Sequence, residues 1–194
     1  GDAVYEVIPA YGGRALLLDA HLARLARSLA ELGIPDAAPA GGWAAVVQGL
    51  VERNGGGDMG IYLQVSRGAD TGRDHAVPRG LAPTRFAMAS PAPARGPAPP
   101  VRAITLPDTR WERCDIKATA LLANVLARDA AARAGAGEAI LVWEGCVTEG
   151  ASSSVIAVEA DRLVRRPNGP EILPGTTTDL VVDLAAGLGL ECVE

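Results

Sequence analysis

The 194-residue chain carries 18 lysine plus arginine residues, and Lys117 is its single lysine, so the other 17 strong cations are arginine. A guanidinium is effectively never deprotonated, whereas an amine can be, which leaves Lys117 as the one side chain able to form a Schiff base with a carbonyl. Its setting, Arg110-Trp111-Glu112-Arg113-Cys114-Asp115-Ile116-Lys117-Ala118-Thr119-Ala120-Leu121-Leu122, puts apolar residues beside its stem. Burial disfavours the ammonium and so favours the free amine that attacks a carbonyl. The alternative is one remaining surface lysine in an arginine-biased chain.

Three further groupings have the residue types for chemistry. Val147-Thr148-Glu149-Gly150-Ala151-Ser152-Ser153-Ser154 combines a carboxylate with glycine and three hydroxyls, and is expected to form one exposed turn between two strands, or else an ordinary Ser-rich loop. Leu173-Pro174-Gly175-Thr176-Thr177-Thr178-Asp179 precedes an expected helix, where free N–H groups and hydroxyls suit a phosphate or simply cap the helix. The segment from Ser66 to His75 reads as a loop in which Arg73 and His75 can converge on a carboxylate, or as a solvated loop. His21, Arg24 and Arg27 share one expected helix, His21 as a local hydrogen-bonding residue and the arginines as outward charges. No Walker or dinucleotide glycine pattern is present.

The elements that must position these residues fall into two parts. The tract Ser90 to Pro100 is rich in proline, which lacks a backbone donor, and reads as a linker over 91–100 between an N-terminal part, 1–90, and a C-terminal part, 101–194. In the first part, strands are expected at Val4 to Ile8 and Ala15 to Leu18 around the hairpin signal Tyr11-Gly12-Gly13-Arg14. Asp19 is expected to cap a helix to about Leu32 with Leu22, Leu25, Leu29 and Leu32 on one face, and a second helix runs from Trp43 to Arg53. Strands at Ile61 to Ser66 and Thr84 to Ala89 complete that part. The second part offers strands at Val101 to Leu106, Ala139 to Trp143, Val155 to Glu159 and Leu163 to Arg166, an alanine-rich helix from Ala118 to Ala134, and a last helix from near Thr177. Irregular mixing of strands and helices argues for an α+β fold over a doubly wound sheet.

Composition narrows the function classes. With 48% hydrophobic residues and a net charge of −5 the chain folds, and it lacks the basic, aromatic-interleaved surface that nucleic acid or anionic membrane would require. No apolar stretch reaches the roughly 18 to 20 residues of a membrane span. Cys114, Cys146 and Cys192 have neither disulfide-framework nor zinc-site spacing, which suits a reducing cytoplasm. The chain opens at Gly1 without methionine and stops at Glu194 after the apolar run Val181 to Leu190, so both ends read as truncated.

Taken in order, Gly1-Asp2-Ala3-Val4-Tyr5-Glu6-Val7-Ile8, Leu18-Asp19-Ala20-His21-Leu22-Ala23-Arg24-Leu25, Tyr62-Leu63-Gln64-Val65-Ser66-Arg67-Gly68, Arg113-Cys114-Asp115-Ile116-Lys117, Val147-Thr148-Glu149-Gly150 and Leu173-Pro174-Gly175-Thr176-Thr177 resemble the class IV aminotransferases, in particular their D-amino acid transaminase branch. The resemblance implies a two-domain fold, with a small N-terminal α/β domain and a larger, β-rich C-terminal domain that binds pyridoxal phosphate and is incomplete here. It implies that Lys117 forms the Schiff base with the cofactor and later shuttles a proton, and that Glu149 pairs with the pyridinium nitrogen. Arg24, Thr177 and the backbone at Thr176 would hold the phosphate, and Ser152 and Ser153 would line the cofactor. Tyr5, Arg73 and His75 would hold the substrate α-carboxylate, Arg73 and His75 reaching in from the partner subunit of a homodimer. The implied activity is amino-group transfer from a D-amino acid to a 2-oxo acid such as 2-oxoglutarate or pyruvate. A branched-chain L-amino acid transaminase, an aminodeoxychorismate lyase and a non-catalytic fragment that keeps the fold are the alternatives.

Overall fold

The computed structural model describes every residue except 36, 37, 71, 73, 93–95, 97 and 98. It divides into two units, residues 1–96 together with 116–120, and residues 97–115 together with 121–194. Several residues of the expected linker, 93–95, 97 and 98, lie outside the described set.

The first unit is a four-stranded antiparallel sheet with two helices on one face. Strands β1 (Ala3–Tyr11), β2 (Arg14–Ala15), β3 (Met59–Ser66) and β4 (Thr84–Pro91) lie in the order β2-β1-β3-β4. Strict alternation decides the two faces. Val4, Ile8, Ile61, Leu63 and Val65 point inward and are fully buried with Leu25 and Leu29 of α1 (Leu18–Glu31) and Val47 and Val51 of α2 (Gly42–Arg53). Each such side chain contributes about 1.5 to 3 kcal/mol. Tyr5, Tyr62 and Phe86 stand on the opposite face.

Two local expectations are corrected here. Helix α1 begins at Leu18 and its N-cap is Leu17, in the left-handed region at φ 52°, with no side-chain cap. Leu16 N–H still pairs with Pro9 O at 2.8 Å in the hairpin register, and the left-handed Leu17 then turns the chain into the helix, leaving Asp19 inside the first turn, where it faces the positive end of the helix. The alanine-rich helix does not begin at Ala118. Thr119 N–H donates to Ala3 O at 2.9 Å, Tyr5 N–H donates to Lys117 O at 3.0 Å, and Val4 forms an antiparallel bridge with Ala118. With their backbone groups engaged by β1, residues 116–120 stay out of the helix despite their helical propensity.

In the second unit, β5 (Ala103–Pro107), α3 (Leu122–Arg133) and β6 (Glu138–Trp143) form a parallel crossover, and β7 (Cys146–Gly150) returns antiparallel to β6. Ala127 and Ala131 of α3 pack on Ala139 and Leu141. A second three-stranded sheet has β8 (Ile156–Glu159) antiparallel to β9 (Arg162–Arg165), which runs parallel to β10 (Glu191–Val193) through α4 (Thr176–Gly187). The expected exposed turn over 147–154 is corrected: residues 146–150 are a strand, with Thr148, Glu149 and Gly150 buried. Glu144 and Gly145, both at positive φ, form the two-residue loop that makes this hairpin. Mixed strands and helices make the fold α+β.

Candidate active site

Lys117 is held at both backbone groups within the first unit. Its carbonyl accepts from Tyr5 N–H, and its own N–H donates to the hydroxyl of Ser28, a fully buried residue of α1, at 3.3 Å. Nζ then lies 4.6 Å from the centroid of the Tyr5 ring, within cation–π range. The structure therefore brings Tyr5 and Lys117 together.

Glu6, the next residue on β1, points to the helix-covered face and is completely buried. Arg24 meets it bidentately, Nε to Oε1 at 2.7 Å and Nη2 to Oε2 at 2.8 Å, and His21 Nδ1 lies 2.7 Å from Oε2. Burial pushes the Glu6 carboxyl up, but the hydrogen bonds and charge of Arg24 and His21 outweigh it and hold the group below the ordinary carboxylate value. An ionised Glu6 only accepts, so His21 Nδ1 carries the proton. Arg24 is therefore an inward, paired cation, which corrects the outward charge expected from its place on the helix.

In the second unit, Glu149 on β7 faces Arg110, whose Nη1 contacts Oε1. Arg110 also grips Asp108 through Nε at 2.9 Å and Nη2 at 2.6 Å, and donates to Glu171 O at 2.9 Å. Thr148 Oγ1 donates to Asp108 Oδ2 at 2.7 Å, and Leu173 N–H donates to Glu149 Oε2 at 3.1 Å. Burial favours neutral Asp108, yet hydrogen bonds from Arg110 and Thr148 hold its pKa down. For Glu149 burial prevails over Arg110, and its pKa stays above the ordinary value. Sequence reasoning gave Arg110 no role. The nearest signal is Asp108 two residues before it, a spacing too common to be diagnostic.

Glu149, Ser154, Arg166, Leu173, Gly175 and Thr178 line a small open cleft at the start of α4. Arg166 Nε is buried there without a hydrogen-bond partner. A Cβ on Gly175 would come within 2.7 Å of Thr178 Oγ1 and 2.9 Å of Ser154 Oγ, so a side chain here would have to displace both hydroxyls. Thr176 and Thr177 are the first two residues of α4, next to this cleft. Ser152 and Ser153 are not part of that lining, and both hydroxyls donate to Glu138 Oε2, at 3.0 and 2.8 Å. His75 is exposed in a loop, its N–H donating to Asp74 Oδ1 at 2.6 Å. Arg73 lies outside the described residues.

Comparison with known proteins identifies the class. The pattern of the family described as amino-transferase class IV matches residues 3–194, and the chain belongs to that family. It is 40% identical to a D-alanine aminotransferase of Bacillus licheniformis, over all of this chain and 69% of that protein. Identity is 36% to a D-alanine aminotransferase of Staphylococcus haemolyticus, over 93% of this chain and 65% of that protein, so the chain spans about two thirds of its relatives' length. Among solved structures, the PLP-bound form of a hypothetical aminotransferase from Mycobacterium tuberculosis is 29% identical, with a TM-score of 0.83 over 98% of this chain and 70% of that one. The branched-chain amino acid aminotransferase from Escherichia coli shares the fold, with a TM-score of 0.85 at 23% identity over 99% of this chain and 66% of that one.

Class IV aminotransferases use pyridoxal phosphate, and the residues present fit that group. The orphaned Arg166 Nε and the Gly175 cradle offer N–H groups and space to an anion. Glu149 offers an incompletely neutralised carboxylate to a protonated ring nitrogen.

Proposed function

We propose that this class IV aminotransferase transfers an amino group from a D-amino acid to a 2-oxo acid such as pyruvate or 2-oxoglutarate. The observation that carries the reading is the chain's one lysine, pinned by β1 and α1 at both backbone groups with its amine on the Tyr5 ring. The relatives at 40% and 36% identity, both D-alanine aminotransferases, support the D-amino acid branch over the branched-chain and lyase alternatives, whose structural neighbours are 22 to 26% identical.

Pyridoxal phosphate, when bound, supplies an electron sink for negative charge at the substrate Cα. Lys117 Nζ would hold the cofactor and later move the proton at Cα. Glu149, oriented by Arg110 and Leu173 N–H, would keep the ring nitrogen protonated. Arg24, Thr177 and the Thr176 backbone would bind the phosphate, and Ser152 and Ser153, held by Glu138, would line the cofactor. Tyr5 orients the substrate carboxylate with Arg73 and His75 of the partner subunit in a homodimer. A cytoplasmic location belongs to the same reading, supported by three free thiols.

An absorbance spectrum of the protein with pyridoxal phosphate tests it. The visible band should be lost in Lys117→Ala and should convert on adding D-alanine but not L-leucine. Conversion by L-leucine alone would move the assignment to the branched-chain type, and no band at all would end the enzyme reading.

A further inference from the structure

The outward face of the first unit's sheet carries an aromatic ladder that ends at Lys117. The Tyr5 ring, over which Lys117 Nζ sits, is stacked on Tyr62 with centroids 5.6 Å apart and planes inclined by 26°. Tyr62 in turn meets Phe86 edge-on at 6.2 Å. Strand register explains the set. Gln64 lies directly opposite Tyr5 and Phe86 directly opposite Gln64, so Tyr62 is the diagonal neighbour of both rings, the spacing at which large side chains reach one another. Tyr62 OH donates to Gln64 Oε1 at 2.6 Å, which restrains the ring. Burial raises the Tyr62 phenol above its ordinary value, so it stays protonated and able to donate.

We propose that Tyr62 is a positioning residue for Lys117: clamped between Gln64 and Phe86, it holds the Tyr5 ring flat beneath the lysine amine and so fixes where that amine points. Tyr62 acts through Tyr5. Offset stacking restricts rotation of the Tyr5 ring, and the ring's negative face attracts the cationic end of Lys117. A loosened ring would let the lysine amine leave its place over Tyr5. The assignment of a cofactor-holding role to Lys117 rests on the reading above, whereas the stack does not.

Lysine labelled with carbon-13 at the ε position in the full chain, without cofactor, gives a signal for Lys117 that is identified by its loss in Lys117→Arg. The Tyr5 ring current should displace the ε protons upfield, and Tyr5→Leu should remove that displacement. Tyr62→Val, which keeps a strand-forming residue, should remove at least half of it while the methyl signals of buried Ile61 and Leu63 stay in place. Tyr62→Phe, which keeps the ring, should restore it. Phe86→Ala, at a half-exposed position, should move the signal part of the way and serves if Tyr62→Val does not fold. A Lys117 signal unmoved in Phe86→Ala and in any folded Tyr62→Val overturns the proposal. A displaced signal together with a visible band that survives Lys117→Ala would keep the stack and refute the function assigned to Lys117.

Discussion

Each unit buries an arginine against carboxylate, and the two clusters are balanced in opposite directions. In the first, one carboxylate, Glu6, is shared by Arg24 and His21, and its pKa is depressed. In the second, one guanidinium, Arg110, is shared by two carboxylates, so Asp108 is fully satisfied and Glu149 is left with a raised pKa. In the first cluster the donors of Arg24 and His21 converge on one carboxylate and outweigh its burial. In the second, Asp108 takes most of the hydrogen bonds of Arg110, and burial prevails at Glu149. The number of hydrogen bonds each buried carboxylate receives separates the two outcomes.

Removing the shared cation should have the largest effect. Arg110→Leu would strand Asp108 and Glu149 together, and urea unfolding should show a loss of about 3 to 5 kcal/mol. Glu6→Gln should cost about 1.5 to 3 kcal/mol in the same assay, because Arg24 and His21 would lose an ionised acceptor. Glu149→Gln should be the contrast, changing stability by less than about 1 kcal/mol, since the charge removed was the under-compensated one, while weakening the visible cofactor band. Equal losses in Glu6→Gln and Glu149→Gln would break the comparison.

Glu6 and Glu149 should also respond oppositely to pH. Glu6 and Asp108, with folded pKa values below those of the unfolded chain, stabilise above the ordinary carboxylate range and lose that contribution as pH falls through their folded values. Glu149, with a raised folded value, stabilises below the ordinary value of 4.5 and loses its contribution as pH rises through the folded one. Urea midpoints measured across pH should therefore show a weaker acid limb in Glu6→Gln and a higher plateau above it in Glu149→Gln. The smallest expected effect is that of Gly175→Ala. The new methyl meets side-chain oxygens that can rotate, so stability should fall by about 1 kcal/mol or less, with weaker pyridoxal phosphate binding in a spectral titration.

Much of the first unit was legible in sequence because its signals are local. The apolar spacing of Leu22, Leu25 and Leu29 and the glycines after Asn54 set the helices, and alternation along Ile61, Leu63 and Val65 set β3. The strand carrying Glu149 was missed because its hairpin depends on Glu144 and Gly145 both adopting positive φ, and only glycine announces that conformation. Arg110 gave no signal at all, since its partners lie as far as 61 residues away along the chain.

Sequence alone determined that a single amine is available, that it lies among apolar residues, and that hydroxyls and glycine precede the last helix, because residue type and short-range spacing are covalent facts. Tertiary structure decided that Lys117 is tied to β1 instead of entering a helix, that Arg24 turns inward, and that burial prevails at Glu149 but not at Asp108. Those outcomes depend on hydrogen bonds and charges from residues distant in the chain, and no local preference encodes them.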